Sequence, residues 1–271
     1  MVLMDYLPAF LLTLFAGLST GIGAALAFFT KPGNTKLLSI GMGFSAGVMI
    51  YVSFMEILIK SQDEFGALYG ETQGDLLGLL CFFLGIGFSS LIDRLIPEDV
   101  NPHEFKSEKE VHGTLQGSSS LLQRTGIFTA IAIAIHNFPE GFATFVSALD
   151  GLALGLPIAL AIAIHNIPEG MAVSLPIYHA TGKRKQAFWY AFASGLAEPV
   201  GAIFGYFLLA PLMGELTLGI TFGMVAGIMI YISFDELMPS SRVYGNAHTT
   251  ILGIVLGMAV MAISLIGFKL I

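Results

Sequence analysis

Two histidines, two asparagines and two glutamates occupy matching positions in a decapeptide that the chain contains twice. The first copy, Ala132–Gly141, reads Ala-Ile-Ala-Ile-His-Asn-Phe-Pro-Glu-Gly, and the second copy, Ala161–Gly170, differs only in having Ile167 where the first has Phe138. Imidazole nitrogen and carboxylate oxygen are ligands of Zn²⁺ and of other first-row divalent cations. Residues four apart share one face of a helix, so each copy can present its His and its Glu together. The duplication therefore predicts two halves of one metal site.

The predicted site has room for two cations. Four ligands, His136, Glu140, His165 and Glu169, suffice for a first cation. Asn137, Asn166 and a further carboxylate can hold a second cation, with the two glutamates bridging. The further carboxylate is Glu198, which lies at a depth in its apolar segment similar to that of the two histidines. A single copy would fit a packing histidine or a turn, but two copies with Glu198 at a matching depth favour a metal site.

The composition indicates the environment of these polar groups. Of the 271 residues, 55% are hydrophobic and only 11% are charged, with a mean hydropathy of +0.80. A soluble domain carries about 25% charged residues, so the chain is predicted to be an integral membrane protein. Its single cysteine, Cys81, excludes a disulfide framework and a cysteine metal cage. The net charge of −7 argues against a nucleic-acid partner.

Eight segments are long and apolar enough to span a bilayer as helices, which takes about 20 residues each. They cover residues 6–29, 37–59, 74–96, 125–149, 151–178, 186–210, 216–238 and 249–271. The polar stretch 97–123 is rich in Glu, Lys, Ser and Gly and is predicted to be a flexible loop. We therefore predict an all-α membrane protein in which residues 1–271 form a single transmembrane domain.

The basic residues predict the orientation of these spans. Ten fall on one side of the membrane: Lys31, Lys36, Arg94, Lys106, Lys109, Arg124, Lys183, Arg184, Lys185 and Arg242. Only Lys60 and Lys269 fall on the other side. Because cytoplasmic loops are enriched in Lys and Arg, we expect loop 97–123 in the cytosol and both termini outside a cell membrane.

A second internal similarity relates spans two and seven. Residues 46–56, Ala-Gly-Val-Met-Ile-Tyr-Val-Ser-Phe-Met-Glu, match residues 226–236 at 8 of 11 positions. An odd number of crossings separates the copies, so they run in opposite directions, as in the inverted repeats of secondary transporters. We expect spans 1–3 to be related to spans 6–8 around the central pair. The repeat places Glu56 near the outer end of span two, and Asp235 and Glu236 near the inner end of span seven. These carboxylates are either the mouths of a cation path or ordinary solvated helix ends.

On these motifs the chain resembles the ZIP (Zrt-, Irt-like) family of divalent-metal transporters, specifically its bacterial ZupT-like branch. The most specific stretches are His136–Gly141, His165–Gly170 and Ser194–Pro199, and the resemblance covers all eight spans. It implies a binuclear site formed by His136, Asn137, Glu140, His165, Asn166, Glu169 and Glu198. It also implies import into the cytosol, a homodimer, and an elevator movement of spans one, four, five and six against the other four.

The function predicted from the sequence is import of Zn²⁺, and of cations such as Fe²⁺, Mn²⁺, Cd²⁺ and Co²⁺, with no catalytic cofactor. The alternative is a metal-dependent intramembrane hydrolase, which would also need His and carboxylate ligands and an activated water. The chain contains no His-Glu-x-x-His motif, which disfavours the hydrolase. It also contains no Walker-type Gly-x-x-x-x-Gly-Lys sequence, which disfavours a pump driven by ATP.

Overall fold

The computed structural model describes residues 3–29, 35–95, 119–149, 151–209 and 214–269, and the regular structure in these ranges is helical. The α-helices are α1 Leu3–Ala27, α2 Thr35–Val52, α3 Leu58–Tyr69, α4 Glu71–Leu95, α5 Ser119–Leu149, α6 Leu152–Thr181, α7 Arg184–Gly195, α8 Ala197–Leu209, α9 Glu215–Ile232, α10 Met238–Tyr244 and α11 Ala247–Lys269. The predicted all-α class is confirmed for this part of the chain.

Six stretches of the described residues are long and apolar enough to cross a membrane. They are Tyr6–Ala25, Ser39–Tyr69, Glu71–Leu91, Gly155–Leu175, Glu215–Leu237 and Ala247–Gly267. Helix α5, which carries the first motif, is outside this set. Helices α7 and α8 have 12 and 13 residues, so each alone is shorter than the roughly 20 residues that a span requires.

Several helices extend beyond the predicted apolar segments. The second segment, predicted to end at residue 59, continues as helix to Tyr69, and the seventh continues to Tyr244. Residues 119–123, predicted as loop, form the start of α5, while residues 97–118 lie outside the described ranges. The reason is that hydropathy marks where a helix leaves an apolar layer, whereas the backbone helix continues until a breaker such as Gly70, with φ of 91°, ends it.

Both copies of the second repeat contain a π-helix at equivalent positions. Ser53–Ile57 joins α2 to α3, and Ser233–Leu237 joins α9 to α10. The π-helix is rare, and its wider turn is found frequently at functional sites. The two π-helices contain the three carboxylates predicted as mouths, Glu56, Asp235 and Glu236.

The helices pack as two groups. The motif group consists of α1, α5, α6, α7 and α8, and the support group consists of α2, α3, α4, α9, α10 and α11. In the support group Gly47 of α2 packs against the backbone of Ile254, and Gly227 of α9 packs against the backbone of Phe82. A missing side chain at such crossings lets two helices approach closely. The largest core cluster lies mainly in the support group and includes Phe142 and Val146 of α5 and Ala161 of α6.

Candidate metal centre

The two decapeptides place their polar residues at the centre of the motif group. Helix α5 carries Asn137 and Glu140 and continues through Pro139, and helix α6 carries Asn166 and Glu169. Their side chains are at most 1% exposed, and so is that of Glu198 in α8. Carboxylates and amides this deeply buried need hydrogen-bond partners or charges of opposite sign. The burial therefore points to a task other than packing.

Glu198 follows a break that the sequence analysis did not predict. The predicted sixth segment is interrupted at Leu196, between the end of α7 at Gly195 and the start of α8, and Glu198 lies in the first turn of α8. An acidic side chain is favourable in the first turn of a helix because the backbone N–H groups point towards it. The sequence signals for the break are Gly195 before it and Pro199 after it, since proline fits the first turn of a helix but not its interior.

The two asparagines are anchored through their NH₂ groups. Asn137 Nδ2 donates to the carbonyl oxygen of Ser194 at 3.3 Å, and Asn166 Nδ2 donates to the carbonyl oxygen of Ala16 at 2.9 Å. Asn166 Nδ2 also donates to Glu198 Oε1, so the second motif and Glu198 are in direct contact. The amide oxygens of both asparagines and Glu198 Oε2 have no hydrogen-bond partner among the described residues. The NH₂ groups of the asparagines thus donate to other protein atoms, whereas their amide oxygens and Glu198 Oε2 remain available as acceptors.

Each motif ends in a glycine because another backbone crosses there. A methyl group at Gly141 would collide with the backbone of Glu198, and one at Gly170 would collide with the carbonyl oxygen of Thr20. Small residues at a crossing allow such backbone contact. The crossings hold α8 against α5 and α1 against α6, and they fix the position of Glu198 relative to Glu140.

Three buried glutamates form the electrostatic centre of the site. Glu198 lies close enough to Glu140 and Glu169 to interact with the charges of both. The sequence contains no Lys or Arg from residue 1 to 30, from 125 to 182 or from 187 to 241. Because like charges repel strongly in a medium of low dielectric, a cation bound among these carboxylates would stabilise them. The donor set of carboxylate and amide oxygens suits divalent cations.

The contribution of the two histidines falls outside the described side chains. The backbones at His136 and His165 are helical, but the positions of their imidazoles are not described. Within the described side chains, no group of three or more His, Cys, Asp or Glu residues is arranged so that it could hold a metal ion. The described part of the candidate site is therefore a centre of carboxylate and amide oxygens. The imidazoles of His136 and His165 remain predicted further ligands.

The three predicted mouth residues lie in the two π-helices, which join helices of the support group. Glu56 is partly buried, and one carboxylate oxygen lies 3.6 Å from Lys60 Nζ, one helical turn further along. Asp235 and Glu236 are also partly buried. Asp93 of α4 was not predicted, and it hydrogen-bonds with Tyr231 beside Asp235. Its sequence signal is a carboxylate close to the end of an apolar segment.

Comparison with known proteins identifies relatives along nearly the whole chain. A family model described as ZIP Zinc transporter matches residues 95–265. A protein of Campylobacter jejuni named zinc transporter ZupT is 55% identical, covering 95% of this chain and 95% of the relative. Proteins with the same name from Clostridium perfringens and Chlorobaculum parvum are 52% and 54% identical. The former alignment covers 97% of each chain, and the latter covers 96% of this chain and 97% of the relative.

Proposed function

This chain belongs to the ZIP family of zinc transporters, and from that premise we propose that it carries Zn²⁺ across the cell membrane into the cytosol. The relatives' names support transport of zinc and favour a transporter over the metal-dependent hydrolase. We extend the proposal to Fe²⁺, Mn²⁺, Cd²⁺ and Co²⁺, because oxygen and imidazole ligands can bind each of these divalent cations, and geometry and metal availability decide among them.

The observation that carries the proposal is the cluster of buried carboxylate and amide oxygens at the centre of the motif group. Glu140, Glu169 and Glu198 are buried together with the acceptor oxygens of Asn137 and Asn166. Carboxylate and amide oxygens are ligands of divalent cations, and a cation bound among three buried carboxylates would offset their mutual repulsion.

We propose that the centre binds two cations. The set is His136, Asn137, Glu140, His165, Asn166, Glu169 and Glu198, with Glu140 and Glu169 bridging. Three carboxylates offset most, but not all, of the four positive charges of two divalent ions. The excess positive charge keeps the ions from being held too strongly, which suits a site that must release its cargo.

The transport path is proposed to run through eight spans. The six apolar stretches account for six of them, and α5 and the broken pair α7–α8 would supply the other two. The distribution of Lys and Arg supports an arrangement with both termini outside and loop 97–123 in the cytosol. Thiol labelling of a cysteine introduced at Ser107, in a chain with Cys81→Ser, tests it: reaction from the cytosolic side alone is expected.

Equivalent contacts in the two halves support the inverted repeat. Gly47 of span two packs on span eight, and Gly227, its counterpart in span seven, packs on span three. Likewise Gly141 of span four packs on span six, and Gly170, its counterpart in span five, packs on span one. Spans related by the proposed repeat thus make related crossings.

We further propose that the motif group moves as one body against the support group, which is an elevator movement. Backbone contacts at Gly141 and Gly170 bind the helices of the motif group to one another around the site. Between the groups, contacts include apolar side chains such as Phe142, Val146 and Ala161, which can slide without breaking polar pairs. A homodimer, as the family resemblance implies, is tested by the mass of the purified protein in detergent.

Uptake of radioactive zinc into proteoliposomes tests the proposed site. We expect Glu140→Ala and Glu169→Ala each to abolish uptake, because either change removes a bridging ligand and leaves two carboxylates for two cations. Glu215→Ala, at an exposed carboxylate in the first turn of α9, is the matched control and should transport normally. Normal uptake by either motif variant, in protein that reaches the membrane, would contradict the bridging role.

A further inference from the structure

Span one contains a sequence that matches the stretch around Glu198. Residues 16–23 read Ala-Gly-Leu-Ser-Thr-Gly-Ile-Gly, and residues 194–201 read Ser-Gly-Leu-Ala-Glu-Pro-Val-Gly. The two stretches share their first Gly, the Leu and the last Gly. In this alignment Thr20 is the counterpart of Glu198.

The contacts of the two stretches follow the same alignment. Asn137 donates to the carbonyl of Ser194, and Asn166 donates to the carbonyl of its counterpart Ala16. Gly201 lies against the carbonyl of Phe138, and its counterpart Gly23 lies against the carbonyl of Ile167. Phe138 and Ile167 are themselves equivalent positions of the duplicated decapeptide. The backbone at Thr20 also lies against Gly170 of the second motif, as the backbone at Glu198 lies against Gly141 of the first motif. Thr20 therefore has the same relation to the second motif that Glu198 has to the first.

The Thr20 hydroxyl is buried and unsatisfied. Its side chain is 0% exposed, and Oγ1 has no hydrogen-bond partner among the described residues. A helical threonine usually bonds to the carbonyl four residues earlier, as Thr13 does to Ala9 at 3.0 Å. For Thr20 that carbonyl belongs to Ala16, which accepts bonds from Asn166 and from Ser19. A buried hydroxyl without a partner costs free energy, so a ligand that supplied one would be favoured.

The hydroxyl also lies beside the anchor of the first motif. A methyl group at Gly195 would lie 2.8 Å from Thr20 Oγ1, so the hydroxyl sits over the backbone at Gly195. The preceding residue, Ser194, holds the NH₂ group of Asn137, and the amide oxygen of Asn137 has no partner among the described residues. The side chains of Thr20 and Asn137 therefore both adjoin the backbone of Ser194 and Gly195.

We propose that the Thr20 hydroxyl oxygen contacts the transported cation on the side of the site opposite Glu198 and broadens the range of cations accepted. The inference rests on the proposed function, because it assigns a further contact to the same site. A hydroxyl in place of a fourth carboxylate adds an oxygen ligand without adding negative charge. Neutral oxygen ligands suit harder cations such as Mn²⁺ better than they suit Zn²⁺, for which imidazole is a strong ligand.

The test compares three variants of α1 in proteoliposomes, with Mn²⁺ and Zn²⁺ as separate substrates. Thr20→Val keeps the shape and removes the hydroxyl, and Thr20→Ser keeps the hydroxyl. Thr13→Val is the matched control, because it makes the same change on the same helix at a buried hydroxyl that is already bonded. We expect KM for Mn²⁺ to rise about five-fold in Thr20→Val, the effect of losing one contact of hydrogen-bond strength, with a smaller rise for Zn²⁺.

A second readout separates metal contact from folding. Without metal, Thr20→Val should unfold at the same temperature as the wild type or higher, because an unsatisfied hydroxyl has been replaced by a methyl group. The rise in Tm on adding Mn²⁺ should be smaller than in the wild type, because a bound ligand stabilises in proportion to its affinity. Thr20→Ser should restore the response to Mn²⁺.

Three results would overturn the inference. The first is a Thr20→Val protein whose KM for Mn²⁺ stays within two-fold of the wild type. The second is an equal loss in Thr13→Val, which would indicate a general effect of helix packing. The third is a wild-type protein that carries neither cation, which would overturn the proposed function and this inference together, whereas the first two would leave the proposed function intact.

Discussion

A methyl group at Gly141 should disable the site without touching any ligand. In Gly141→Ala the new carbon would lie 2.5 Å from the carbonyl carbon of Glu198, and closer still to its Cα and carbonyl oxygen. Ordinary carbon–carbon contacts are about 3.5 to 4.0 Å, so α8 must move away from α5 by roughly 1 Å. Neither partner can rotate out of the way, because the colliding atoms are backbone. Overpacking of this kind costs about 1 to 3 kcal/mol of folding free energy.

The consequence for transport should be larger than the consequence for stability. Ligand distances in metal sites are tolerated within about 0.2 Å, so a shift of roughly 1 Å takes the Glu198 carboxylate out of reach of a cation that Glu140 holds. Disturbing the groups that orient metal ligands typically costs about 10- to 100-fold in metal affinity. We therefore expect zinc uptake at low concentration to fall at least ten-fold, while the protein still folds and reaches the membrane.

Two further glycines give this prediction its controls. Gly170→Ala should behave like Gly141→Ala, because its methyl group would meet the backbone of Thr20. Gly87→Ala in α4 should transport normally and be slightly more stable, because no atom lies within 4 Å of the new carbon and alanine favours helix by about 0.5 to 1 kcal/mol. Uptake and thermal unfolding are measured on all three variants. Uptake by Gly141→Ala within two-fold of the wild type would refute the reasoning that the crossing positions Glu198.

Two other predictions concern protons and Glu56, the residue predicted to lie at the outer mouth of the cation path. Zinc uptake should weaken as the pH falls from about 8 to about 5, because His and Glu bind cations only when free of protons, and a flat profile of initial rates would contradict this. Lys60→Gln removes the ammonium group 3.6 Å from Glu56 and should raise uptake at low zinc by about two-fold at low salt, with less effect at high salt. Zinc uptake rates that are unchanged by Lys60→Gln at both salt concentrations would indicate that Glu56 does not lie on the cation path.

The sequence was a good guide to the helices and to the burial of the candidate ligands. Local composition identifies apolar segments directly, and the duplicated decapeptide selects Asn137, Glu140, Asn166 and Glu169, all of which are buried together in the structure. The boundaries were less well predicted, because α3 and α10 are helical extensions beyond the apolar stretches. The two π-helices were not predicted, since nothing in a sequence pattern of about eleven residues distinguishes a five-residue turn from a regular one.

The sequence by itself determined which residue types are buried in an apolar chain and that they occur in matched pairs. The tertiary structure decided which atoms of those residues are available. Backbone carbonyls of α1 and α7 accept bonds from the NH₂ groups of both asparagines, and this leaves the two amide oxygens and one oxygen of Glu198 without a partner among the described residues. The physical reason is that helical periodicity is local, whereas partners at the helix crossings come from residues far apart in the chain.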